Sequence, residues 1–189
     1  LDLFGRINAM YLSDSAARHV KGIKNKGSDD NTLQTTVYSG IAGRSQISDN
    51  VYAIGYSEWI MPSGSSGTED FITRAQYVGV DAQQYGTLTF GRGDNAFYTV
   101  AGVTDVYQEL DCRVNDHYVF GDYQPGLIMY SLSALGWDLR MSYQTAADDV
   151  NNSNVNIHNG AAFAVATRLA NGIGIAYGMS YYYLQPDKN

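Results

Sequence analysis

The chain has a single cysteine, Cys112, and only three prolines among 189 residues. One thiol can close no intramolecular disulfide and offers a metal no second sulfur, so neither a staple nor a thiolate cofactor site is expected. Basic residues are also scarce, with 12 Lys and Arg against 19 Asp and Glu and a formal charge of −7. Phosphate recognition rests on clustered Lys and Arg, so nucleic acid is disfavoured as a partner. No stretch approaches the roughly 18 consecutive apolar residues of a membrane helix. No basic n-region followed by an apolar run opens the chain, which is expected to be mature or trimmed. No compositional shift marks a linker, and one structural unit is expected.

Catalytic signals are equally thin. His19, His117 and His158 fall in polar connections, and no nucleophile elbow accompanies them. Asp148-Asp149 beside His158 reads as a solvated loop, so no catalytic residue, metal ligand or cofactor is expected. Arg92-Gly93-Asp94 matches an adhesion tripeptide at a length where chance matches are common. Gly172-Ile173-Gly174 runs into apolar alternation instead of the helix that a phosphate-binding glycine loop requires, and reads as a tight turn.

What the chain does have is 44% hydrophobic residues, 16 Tyr and 20 Gly, with the apolar residues interleaved among polar ones. Aromatic and β-branched side chains suit a pleated surface. Every second residue falls on the same face of a strand, and reading the chain that way separates two faces repeatedly. Trp137, Leu139, Met141 and Tyr143 oppose Asp138, Arg140, Ser142 and Gln144. Phe163, Val165 and Leu169 oppose Ala162, Ala164, Ala166 and Arg168, and Ile175, Tyr177, Met179 and Tyr181 oppose Ala176, Gly178 and Ser180. Val37, Ile41 and Ile47 likewise oppose Tyr38, Arg44 and Gln46.

With further segments at 1–12, 51–61, 71–81, 85–92 and 118–133, this predicts about nine strands of roughly 10 residues, the length a tilted strand needs to cross a bilayer. Strands of soluble proteins run nearer 5–6. Long polar connections at 13–34 and 146–159 alternate with short turns at 48–50, 83–84 and 170–172, the habit of membrane barrels. Trp59, Trp137 and Tyr181-Tyr182-Tyr183 sit near strand ends, where amphipathic rings suit the headgroup level. The fold class expected is all-β, an antiparallel transmembrane β-barrel.

The opening Leu1-Asp2-Leu3-Phe4-Gly5-Arg6 resembles that of the Gram-negative general porins of enterobacterial type. The likeness continues in order through 40–47, Gly55-Tyr56-Ser57-Glu58-Trp59, Thr73-Arg74-Ala75, Phe90-Gly91-Arg92, Thr104-Asp105 and the 137–144 strand. It implies an outer-membrane pore for passive diffusion of small hydrophilic solutes and ions, without enzymatic activity. It further implies a homotrimer in contact with outer-membrane lipid and lipopolysaccharide. An inward-folding constriction segment is implied at 93–117, carrying the acids Asp105 and Glu109 opposite the basic residues Arg6, Arg74 and Arg92.

Other lumen-facing residues would be Tyr38, Arg44, Glu58, Arg140 and Arg168. Tyr38 stands where the family has an arginine, Ile72 where it has a lysine, and Asp122 or Tyr123 where it has another arginine. A thinned basic side with both acids kept predicts cation preference. The family builds about 16 strands, so these residues are expected to be the N-terminal part of one barrel, with about half of the protein absent after Asn189. The competing architectures are a closed barrel of about eight strands with a filled interior and a structural or adhesive role, and a soluble sandwich or lipocalin-like binder.

Overall fold

In the computed structural model, residues 1–12, 32–63, 71–104, 123–147 and 156–185 are described. They form nine strands: β1 Asp2–Leu12, β2 Thr32–Ser48, β3 Val51–Ser63, β4 Ile72–Asp81, β5 Thr87–Gly93, β6 Gln124–Ala134, β7 Trp137–Gln144, β8 Ile157–Arg168 and β9 Gly174–Leu184. All nine lie in one sheet in chain order, and each pairs antiparallel with the next. One short helix, α1 Tyr98–Ala101, follows β5.

The turns explain the boundaries. Between β4 and β5 the chain makes a 3-10 turn at Gln83–Tyr85 and then passes through Gly86 at φ +92°. Strand β5 therefore begins at Thr87 and not at Tyr85, where alternation alone would start it. Leu135 and Gly136 close β6 onto β7 with φ of +54° and +77°. Two successive positive φ values match the right-handed twist of the flanking strands. Strands β2 and β8 begin earlier than alternation predicts, at Thr32 and Ile157, while β6 begins at Gln124, with 118–122 outside the described residues.

Register fixes the faces. The pairs Tyr130↔Met141, Leu139↔Val165, Met141↔Phe163 and Phe163↔Met179 put large apolar side chains on one surface. Its residues are open to the surroundings, with Tyr177 at 62% and Ile7 at 73% of full exposure. Exposing such side chains to water forfeits about 25 cal/mol per Å², so this face is built for an apolar medium. On β2 to β4 the same face is mixed, with Ser39, Gly43, Ser45, Gly55, Ser57 and Gln76 set among Val37, Ile41, Val78 and Val80.

Candidate functional site

The opposite, polar face carries Arg6, Tyr38, Arg44, Glu58, Arg140 and Arg168 by simple alternation through the registers Arg6↔Tyr38, Gly40↔Glu58, Arg140↔Ala164 and Arg168↔Gly174. Arg74 reaches it differently. Glu58 pairs with Ala75 and Trp59 with Thr73, so Arg74 is an extra residue in a bulge. Bulges re-aim side chains that strict alternation would send elsewhere. Arg92 lies beside a second irregularity, between Gly91 and Gly93, where Gly91 takes φ +144°.

Those placements assemble a stack of alternating cations and rings. The Arg6 guanidinium lies 4.2 Å from the Tyr38 ring centre, and Arg74 lies 5.2 Å from the same ring and 4.6 Å from that of Tyr123. A ring face is electronegative, so Tyr38 holds the two arginines together where a third cation would repel both. Arg74 Nη1 also meets Glu58 Oε1 at 3.3 Å, and Tyr56 Oη donates to Glu58 Oε2 at 2.7 Å. Both members of the ion pair are largely buried, and Arg92 Nε donates to the Arg74 carbonyl at 3.3 Å. Burial pushes the Tyr123 phenol up to about 12, against the opposing pull of Arg74, so the ring stays neutral.

Next to this stack, Phe4, Tyr56 and Tyr77 overlap across β1, β3 and β4 with ring centres 5.4 and 5.2 Å apart. Gly40 makes the overlap possible, because a side chain there would collide with the Phe4 ring. Arg44 stands apart at the short-turn end. Its Nη2 meets Asp81 Oδ2 at 2.8 Å, and its guanidinium lies 3.5 Å from the Tyr52 ring centre.

The chain after β5 crosses the polar face and seats on β7 to β9. Asn95, 1% exposed, donates to Tyr182 Oη, and the Ala96 N–H donates to Ser142 Oγ at 3.0 Å. The seat is cut from small residues: Ala162 and Ala164 are buried, and a side chain at Gly178 would come within 3.0 Å of Val100 and 3.2 Å of Phe97. The Tyr123 N–H donates to Asp94 Oδ1 at 3.0 Å, tying the exit of the segment to its entrance. Asp105 and Glu109 lie outside the described residues.

Sequence reasoning brought Arg6, Tyr38, Arg74 and Glu58 into one group and put Asp122 or Tyr123 on the same wall, of which Tyr123 meets Arg74, but it missed Tyr56 and Tyr77, and missed the Asn95, Ser142 and Tyr182 latch. The small-residue stripe on β8 and β9 was the available signal for that latch. No group of three or more His, Cys, Asp or Glu among the described residues is arranged to hold a metal.

A family model described as "Gram-negative porin" matches residues 1–185. Outer membrane protein F of Serratia marcescens is 26% identical over 96% of this chain and 48% of its own length. Outer membrane porin PhoE of Klebsiella oxytoca is 33% identical over 58% of this chain and 29% of its own. Among solved structures, Salmonella typhi OmpF in complex with daunomycin superposes with a TM-score of 0.72 at 20% identity, covering 95% of this chain and 53% of that one. A mutant of the Rh. blastica porin superposes at 0.59. The chain spans about half the length of the full-coverage curated relatives it matches.

Proposed function

Because the chain belongs to the Gram-negative porin family, we propose that it supplies the N-terminal side of a general diffusion pore in the outer membrane, with the polar face lining a water-filled lumen. The family is non-enzymatic. The observation that carries the reading is the Arg6, Tyr38 and Arg74 stack on the polar face of a sheet whose other face is apolar and open. Small hydrophilic solutes and ions would pass between that wall and the segment seated on β7 to β9.

The proposed pore prefers cations at its constriction. Arg74 is offset by Glu58, a tyrosine occupies the middle of the basic row, and Asp105 and Glu109 add negative charge from the segment. Strands β1 and β9 stand at opposite edges of an open sheet. Unpaired edges in lipid cost several kcal/mol per backbone group, which supports further strands completing a barrel of about 16.

On the outer surface of β2 and β3, the patch of Ser39, Gly43, Ser45, Gly55 and Ser57 suits protein contact better than lipid. Gly55 has open space where a side chain would stand, so its bareness serves no neighbour within the chain. This supports a homotrimer joined through these strands.

Planar-bilayer recording of the detergent-purified protein under a salt gradient tests all three points. Openings in groups of three with a cation-selective reversal potential are expected. Well-folded protein that never conducts would overturn the pore.

A further inference from the structure

Between the constriction stack and the short-turn end, the polar face holds a recess of about 310 Å³. Among the described residues, its walls come from β3 to β7 and its roof from Arg92, Gly93 and Asp94. At about 30 Å³ per water, it has room for roughly ten water-sized groups.

Arg140 forms one end. It stands opposite Ser131 on β6 and Ala164 on β8, and neither neighbour carries an acid. Arg140 makes no ion pair or side-chain hydrogen bond among the described residues, unlike Arg44 and Arg74. The hydroxyls of Ser131 and Thr89, in the same wall, are also uncommitted. Between these polar groups the floor is apolar, made by Ile54, Leu127 and Met129.

Arg140 is exposed to the lumen side and shares this wall with two hydroxyls, so its guanidinium offers donors to an incoming acceptor that the hydroxyls can assist. Arginine presents paired N–H groups that match the two oxygens of a carboxylate. Arg92, Arg140 and Asp94 together give the lining a net charge of +1, which one monoanion neutralises. A dianion would bring its second charge toward Asp94, and a neutral solute would leave Arg140 unanswered. The apolar floor needs a body that gains by leaving water.

We propose that this recess is a lumen-side binding site for small organic monocarboxylates with a compact apolar body, held by Arg140 and Ser131 over Met129 and Leu127. It rests on the pore reading only in that the recess faces the lumen. In a pore that favours inorganic cations, such a site would concentrate organic anions that the constriction otherwise slows.

The probe is 4-fluorobenzoate, which joins one carboxylate to a flat apolar ring. Fluorine NMR line broadening with the detergent-purified protein reads binding without conduction, and interruption of potassium current in a planar bilayer reads it with conduction. Saturable binding is expected, weakened by salt, with acetate and 4-fluorobenzyl alcohol at least tenfold poorer competitors than benzoate. Arg140→Gln should weaken binding about tenfold. Ser131→Asp, which supplies Arg140 with a fixed carboxylate, should do the same.

Non-saturable broadening equal to that of empty micelles, or equal affinity in both variants, would overturn the site. Protein that conducts but does not bind the probe refutes the site and leaves the pore standing. Protein that binds but does not conduct refutes the pore alone.

Discussion

Gly178 lies under the seated segment, and enlarging it should push the segment into the passage and narrow the pore. A Cβ there would stand 3.0 Å from Val100 Cγ2, 3.2 Å from Phe97 Cδ2 and 3.2 Å from the Phe163 carbonyl. Against that pressure the segment is held locally by the Asn95 to Tyr182 and Ala96 to Ser142 hydrogen bonds. At a net value near 1 kcal/mol each, they supply about 2 kcal/mol. Overpacking by a few carbons costs typically 1–3 kcal/mol. Alanine, at the bottom of that range, should be absorbed by small shifts of Val100 and Phe97, leaving conductance unchanged. Leucine adds three more carbons, should exceed the latch, and should lift residues 95–104 off β9. Because the displaced segment moves into the passage, single-channel conductance of Gly178→Leu should fall, and adding Ser142→Ala should lower it further. Gly174→Leu is the control, because Gly174 lies on the same face of the same strand with open space around it. Wild-type conductance in a folded Gly178→Leu protein, or an equal fall in Gly174→Leu, would refute the reasoning.

Two further outcomes follow from the wall and the turns. Glu58→Gln removes the partner of the largely buried Arg74, so the reversal potential under a salt gradient should move toward anion permeation, and unfolding in denaturant should come at lower concentration. Leu135 is 99% exposed at φ +54°, a conformation costing a branched side chain about 1 kcal/mol that asparagine tolerates. Leu135→Asn, giving Asn-Gly at the β6 to β7 turn, should stabilise the protein by about 0.5–1 kcal/mol in urea titration without changing conductance.

Period-two alternation carried most of the fold because a strand in lipid must present one chemistry outward and another inward. Leu139, Met141 and Tyr143 on β7 and Ile175, Tyr177 and Met179 on β9 fall on the faces the sequence assigns them. Alternation fails at Arg74, since a bulge is a property of two paired strands and cannot be read from one. The turn at 83–84 was legible, but its extension through Tyr85 was hidden, because Tyr85 looks like one more aromatic strand residue until Gly86 turns the chain. Ala162, Ala164 and Gly178 were legible as a small-residue face, but what fills it comes from a segment more than 50 residues away in the chain.

The bond from the Tyr123 N–H to Asp94 brings the chain back at Tyr123 to the point on the wall that it left at Asp94. The entropy of closing such a loop grows only slowly with its length, about 0.6 kcal/mol per doubling. Insertions or deletions inside it would hardly disturb the strands that carry it. In the proposed pore, the bore could thus be retailored by exchanging one graft, while Arg6, Tyr38, Arg74 and Glu58 keep their places.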